Sequence, residues 1–345
     1  MTKAHNRFPN TNNILVTGSG SFTGGKLLQA LDRDPSITGT IIAADLERPR
    51  FPLNRTRFYK LNLMGKSADS DLYTILKKEA IKTVIHAAFP ISPPKKLDFA
   101  HELISIGTMY VVNACTAANI KRLVVLSTAD VYGAFPDNPN FLTENHPPRG
   151  NRLSQFLRDK IDAENQALHA HRTLPHMTVV ILRICTILGP TVETYKTRYL
   201  RREVVPTILG YDPLVQFVQE EDVIAACRLA MESDQSGIYN IAAPGVLSLS
   251  DVITICGKTN LPLPKAVLKT IAQTLWYLDL SPAPSTHLNF IQYLWLVDGE
   301  KATRELGFKP QFSSKEALLS FVGGEKLRAS PILRSAAYQP ATHKA

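Results

Sequence analysis

A lysine one helical turn beyond an aromatic ring is the first place in this chain where chemistry is legible. In NRLSQFLRDKIDAENQAL, residues 151–168, Phe156 and Lys160 stand four apart on one face of an expected helix, with Glu164 a turn further on. A tyrosine at 156 would complete a proton-transfer dyad with the lysine. Phenylalanine keeps the ring and has no proton to give, and loss of a positioned acid or base typically costs ~10²–10⁴ in rate. Shifting the helix recovers nothing, because no tyrosine lies between Tyr132 and Tyr195. Asp130, Tyr132, His146 and Lys160 itself are the nearby groups that could stand in. Of these, Tyr132 reads as structural and Asp130 as a turn residue.

A second cluster lies near the start. TGSGSFTGG follows the apolar run NNILVTG and opens the helical pattern KLLQALDRD. Glycines there let the backbone turn sharply and approach a pyrophosphate on the helix N-terminus. The spacing is Gly18-x-Gly20-x-x-x-Gly24, a departure from G-x-G-x-x-G. Asp45 ends the second expected strand, where an acid can accept bonds from the adenosine ribose hydroxyls and repel a 2′-phosphate. That favours NAD over NADP, with Arg48 and Arg50 able to soften the preference. The competing reading of Asp45 is a plain turn residue.

The elements that must position these residues alternate along the chain. TIIAAD, KTVIHAA, KRLVVLST and MTVVILRICTILGP are apolar, β-branched strand patterns separated by the helical patterns DLYTILKKEA and LISIGTMYVVNACTAANI and by the lysine helix. Such alternation implies an α/β fold with a parallel sheet covered on both faces. After Pro190 the alternation weakens, and the C-terminal third mixes helices with Pro-rich loops. The division expected is a dinucleotide-binding domain over 11–190, to which 216–232 returns, a smaller irregular substrate-side domain over 191–322, and a mobile basic tail over 323–345.

The 345 residues are 44% hydrophobic and 20% charged, with a formal charge of +9, an ordinary globular composition. Part of the positive excess sits in the tail and part in YKTRYLRRE, 195–203, which reads as a solvated face with a phosphate site as its competitor. The first dozen residues carry no signal-peptide pattern. The four cysteines, Cys115, Cys185, Cys227 and Cys256, form no CxxC pair and read as buried thiols in a reducing cytoplasm. Asp279, Pro282, Pro284 and His287 divide the apolar stretch 270–297 into pieces shorter than the ~20 residues of a spanning helix. Peripheral membrane contact near Trp276 and Trp295 is the weaker alternative. No metal is expected: His169, His171 and His176 join a helix end to a strand rather than converge. CGKTN lacks the earlier glycine of a phosphate loop, no G-x-S-x-G is present, and nothing resembles a nucleic-acid module.

Taken in order, the Gly loop, Asp45, VIHAA, LSTADVYG, the Lys160 helix, LRICTILGP, QFVQEEDVIAA, YNIA and DGEKATRELGFKP resemble the extended short-chain dehydrogenases, and within them the NAD-dependent epimerase/dehydratase group, over about residues 12–322. The resemblance implies a Rossmann-type doubly wound sheet and NAD as cofactor. It implies cofactor contacts at Gly18, Gly20, Ser21, Phe22, Gly24, Asp45, Asn62, Leu63, Ala87 and Ala88, with Ser21 in the place of the middle glycine and Asn62-Leu63 in that of an Asp-Leu pair. Thr128 matches the catalytic serine or threonine and Lys160 the lysine that grips the nicotinamide ribose. Three positions depart from the pattern: Phe156 for the catalytic tyrosine, Ile104 for an asparagine beside the active centre, and Gln219 for a frequent histidine.

Two functions follow. One is an NAD-dependent oxidoreductase or epimerase acting on a hydroxyl or carbonyl of a small molecule, a sugar nucleotide or a sterol-like alcohol, with its proton carried by another group. The other is a catalytically silent NAD-binding scaffold or redox sensor, motivated by Phe156 and Ile104. The resemblance also points to dimerisation through residues 100–118 and 152–171, whose small and apolar residues are compatible with it.

Overall fold

A computed structural model describes residues 13–90 and 92–329. Six strands, β1 (Ile14–Thr17), β2 (Ile41–Asp45), β3 (Arg57–Lys60), β4 (Thr83–His86), β5 (Arg122–Thr128) and β6 (Thr178–Ile184), are joined by helices α1 (Phe22–Asp32), α2 (Ala68–Lys78), α3 (Leu97–His101), α4 (Gly107–Ala118) and α5 (Gln155–Thr173). Beyond them lie β7 (Thr186–Leu188), α6 (Tyr195–Leu200), β8 (Val204–Ile208), β9 (Leu214–Val215), β10 (Phe217–Gln219), α7 (Glu220–Glu232), β11 (Gly237–Ile241), β12 (Leu247–Ser248), α8 (Leu249–Ile255), β13 (Thr259–Leu263), α9 (Lys265–Tyr277) and α10 (Ser314–Ala329).

The main sheet has seven strands in the order β11-β6-β5-β4-β1-β2-β3, and every pairing is parallel. Both faces are covered, so strand side chains are apolar on both sides. Ile14 and Val16 join one core cluster, and Leu15 between them joins the other. From β1 the chain winds outward through β2 and β3, then returns to lay β4 on the other side of β1. The crevice at that reversal, at the carboxyl ends of β1 and β4, is where ligands bind in doubly wound sheets.

The segment 217–219 pairs with β7, apart from the main sheet. The return to that sheet is made by α7, packed against β5 and β6, and by β11, paired with β6. A separate apolar cluster, with Leu188, Phe217, Val252, Leu318 and Phe321, holds the C-terminal part together. Residues 323–329 continue α10; the rest of the expected tail, 330–345, lies outside the described residues. Between α3 and α4 the helix widens into a π turn over Glu102–Ile106, and Ile104 there is fully buried in the core.

One charged tie fixes α5 on the sheet. Glu164 accepts from Arg183 Nη2 at 2.6 Å and from its Nε at 3.1 Å, and Ser127 Oγ donates to the same carboxylate. Both side chains are almost fully buried. The Arg183 guanidinium also lies 4.6 Å over the Tyr132 ring, whose hydroxyl donates to Asn240 Oδ1. Removing one member of a buried pair strands the other charge. Arg183→Met and Glu164→Leu should each destabilise the protein by ~3–5 kcal/mol in urea denaturation, while the double variant Glu164→Leu/Arg183→Met should lose less than the two single losses added together.

Candidate active site

Strand β1 ends on Thr17, and Gly18 takes a left-handed φ of +69° to turn the chain into the loop. A side chain there is barred by backbone: a Cβ on Gly18 would lie 2.4 Å from Ala88 Cα, and one on Gly24 would lie 2.2 Å from the Gly18 carbonyl oxygen. Ser21 caps α1 by accepting from the Gly24 N–H at 3.1 Å, which leaves Phe22 as the first helical residue. Asp45 meets this loop directly. One of its oxygens accepts from the Gly20 N–H at 2.7 Å and the other from the Leu46 N–H at 2.6 Å. The glycine cradle, the helix N-terminus and the acid beside it fit a dinucleotide cofactor, which the residues of this turn and Asp45 would hold.

Further along the same edge, Asn62 is exposed, its side-chain oxygen accepting from the Met64 N–H at 3.0 Å, while Leu63 is buried. Ala87 and Ala88 follow β4, Ala88 directly under Gly18. Below them His86 is fully buried, with Thr17 Oγ1 at 2.7 Å from one ring nitrogen and Thr108 Oγ1 at 2.9 Å from the other. Burial, helped by the Lys160 charge, lowers its pKa to about 3, so it tethers β1 and α4 as a neutral ring.

The chemical end of the cleft is a cavity of about 120 Å³ whose wall includes Ala87, Phe89, Thr128, Phe156 and Lys160. Thr128 closes β5, and its Oγ1 accepts from the Asp130 N–H at 3.2 Å. Ser154 caps α5 through the Leu157 N–H, and this helix carries Phe156 and Lys160 inward. Lys160 Nζ lies 4.7 Å from the Phe89 ring centre and 5.1 Å from that of Phe156. Among the described residues it makes no hydrogen bond and no ion pair. Burial lowers its pKa from 10.5 to about 8, against the opposing pull of Asp130 and Glu164. Phe156 is buried and Ile104 is in the core, so neither offers a polar atom to the cleft. Gln219, also buried, caps α7 by accepting from the Glu221 N–H.

The structure brings in residues that sequence reasoning missed. Tyr195 and Lys196, from the stretch read as a solvated basic face, line the same cavity as Thr128 and Lys160. Asp130, read as a turn residue, is buried and accepts from Tyr195 OH at 3.0 Å and from Lys196 Nζ at 2.6 Å; Lys196 also donates to Thr186 Oγ1 at 3.2 Å. Burial alone would raise the Asp130 pKa, but Lys196 and its hydrogen bonds hold it low. Burial and the Asp130 charge push the Tyr195 phenol well above its ordinary value, so it stays protonated. No local pattern joins Asp130 to residues some sixty positions later; only the phenol and ammonium in YK hinted at a role. Tyr132 and His146 serve elsewhere, Tyr132 on Asn240 and His146 on its own turn through the Thr143 N–H.

The family profile described as the NAD dependent epimerase/dehydratase family matches residues 14–242. An uncharacterized protein of Mycobacterium tuberculosis is 29% identical over 335 residues, covering 95% of this chain and 87% of its own. A dTDP-glucose 4,6-dehydratase of Streptomyces niveus is 24% identical over 90% of this chain and 91% of its own. Among solved structures, a UDP-glucuronic acid 4-epimerase of Bacillus cereus in complex with NAD superimposes with a TM-score of 0.69 at 20% identity, over 92% of this chain and all of its own. This chain belongs to the NAD dependent epimerase/dehydratase family.

A charged lysine without a counter-ion destabilises the fold it is buried in. Because its folded pKa lies below the unfolded value, the penalty is full at neutral pH and fades as the pH rises from about 8 toward 10.5. Lys160→Met should therefore gain stability at pH 7, on the order of 3 kcal/mol before loss of the two ring contacts is set against it. At pH 10.5 the gain should be small, as read by urea denaturation at both values.

Proposed function

We propose that this member of the epimerase/dehydratase family is an NAD-linked oxidoreductase in which Lys160 carries the proton that the family's tyrosine ordinarily handles. The observation that supports this most is the Lys160 ammonium itself: buried beside Thr128, without a hydrogen-bond partner among the described residues, and with a pKa of about 8. A general acid or base works best with a pKa near the operating pH. Bound NAD supplies the acceptor or donor of hydride.

The residues divide the remaining work. The turn with Gly18, Gly20, Ser21, Phe22 and Gly24 takes the diphosphate, Asp45 the ribose hydroxyls, and Asn62, Leu63, Ala87 and Ala88 the rest of the cofactor cleft. Thr128 donates a hydrogen bond to the substrate oxygen, since its own oxygen already accepts from the Asp130 N–H. In the oxidation direction the hydroxyl proton passes to the neutral Lys160 amine as hydride leaves the adjoining carbon; in reduction the ammonium returns it. The geometry favours this over a silent scaffold, which Phe156 and Ile104 would otherwise suggest. A homodimer through residues 100–118 and 152–171, where α4 and α5 pack together, and a cytoplasmic setting belong to the same reading. Among the described residues no helix is long and apolar enough to cross a membrane.

Alcohol oxidation should rise with pH through about 8, as Lys160 loses its proton, and carbonyl reduction should fall through the same value. Lys160→Met should lower turnover by ~10²–10⁴ in both directions. NAD should raise the melting temperature of the wild type, and Asp45→Ala should remove most of that shift. Turnover that is absent in the wild type and present in Phe156→Tyr would favour the scaffold reading instead.

A further inference from the structure

A second, largely apolar cavity lies beyond the proton-transfer cleft, on its C-terminal side. Its volume is about 380 Å³, within the range of small-molecule sites. The wall is built from α9, the strands β8 and β13, α8 and the short helix Ser285–Ile291, with Leu249, Val252, Leu263, Leu268, Leu275 and Ile291 among its apolar side chains. Thr186, Tyr195 and Lys196 line this cavity and the cleft of Thr128 and Lys160 alike, so the two spaces adjoin.

Three observations say what belongs in it. First, no aspartate or glutamate lines the wall, and its only lysine or arginine side chains are Lys196 and Arg202. Lys196 is already held by Asp130, so the wall offers a diphosphate one guanidinium, that of Arg202, and no second free cation. Second, the wall is mostly aliphatic and aromatic, and apolar surface of this kind open to water is stabilised when an apolar body covers it. Third, the buried ring of His287 lines the inner end with both nitrogens unpartnered among the described residues. It stands 5.4 Å from the Tyr195 ring. Burial lowers its pKa to about 4, so the ring is neutral and offers one donor and one acceptor.

The outer rim is apolar too. Val204, Leu261 and Ile271 line the cavity and are also exposed, and Tyr277, Leu278 and Leu280 at the end of α9 expose well over half of their surface. Lys95 clamps this end of the helix to the loop after β4, donating to the Trp276 carbonyl at 2.6 Å and pairing with Asp279.

We propose that this cavity is the substrate's seat and takes an elongated apolar alcohol or its ketone, long-chain or polycyclic, whose oxygen enters at the Tyr195, Lys196 and His287 end. The proposal rests on the oxidoreductase reading for its reaction but not for its binding. The apolar body fills the space under α9, the exposed rim admits it from an apolar phase, and a nucleotide sugar finds neither its diphosphate partners nor a polar wall.

The test is a titration of the full chain, carrying Trp276→Phe so that Trp295 in the cavity wall is its one tryptophan, with straight-chain 1-alkanols from octanol to tetradecanol, with cholesterol, and with UDP-glucose, followed by the change in tryptophan emission. Saturable binding of the alkanols is expected, tightening about fourfold per methylene, the equivalent of ~0.8 kcal/mol, until the cavity is full. UDP-glucose should give no saturable change in emission. Ile271→Glu, which sets a charge at the exposed rim, should weaken tetradecanol at least tenfold, and Ala272→Trp, which fills the space without charge, should do the same. Both should keep the thermal shift given by NAD. Absence of alkanol and sterol binding, binding without chain-length dependence, or affinity unchanged in both variants would overturn the proposal. Loss of the NAD shift in the wild type is a separate result: it sinks the redox reading and leaves the alkanol titration to judge the cavity.

Discussion

The buried contact between Glu164 and Arg183 decides where the chemistry sits. It joins α5 to β6, while Ser127 joins the same carboxylate to β5. With α5 held at that height, the residue one turn earlier, Lys160, is presented to the carboxyl edge of the sheet between Phe89 and Phe156. A buried ion pair adds little net stability over a well-packed apolar one, because desolvating two charges offsets most of their attraction. Its value here is directional. The planar guanidinium, bonded through two of its nitrogens and stacked on Tyr132, permits one register of helix against sheet.

Two lysines meet in the cleft under opposite electrostatics. Lys196 is bonded to a carboxylate and a hydroxyl and stands 4.3 Å above the Trp295 ring, so its charge is spoken for. Lys160 has aromatic faces and no counter-ion in contact. An ammonium in that setting is destabilised relative to water, and its pKa falls into the range where protons move at neutral pH. Perturbed groups of this kind gather at functional sites because a scaffold tolerates the cost where binding or turnover benefits.

The two halves of the molecule divide labour by surface chemistry. The sheet edge offers backbone N–H groups, glycine turns and an acid, which suit a polar, anionic cofactor. The part beyond Pro190 offers branched aliphatic side chains around an open volume, with Thr186, Tyr195 and Lys196 at the seam between the two and Arg202 in the wall. The same architecture serves proteins named for nucleotide-sugar chemistry, so the fold alone does not choose the ligand.

From the sequence alone the parallel sheet, the glycine turn, Asp45 and the helix carrying Phe156 and Lys160 were legible, because each depends on local matters: residue period, the need for a left-handed φ at Gly18, and a four-residue spacing on one helix. The consequence of Phe156 was legible for the same reason, since a missing hydroxyl needs no coordinates. The partnership of Asp130 with Tyr195 and Lys196, the solitary state of Lys160, and the hollow under α9 were not. These depend on which side chains from distant segments share a low-dielectric space, and the composition of YKTRYLRRE reads the same whether its lysine faces water or a buried carboxylate. Burial changes the energy of a charge by far more than any local preference does, and only the tertiary structure decides what is buried.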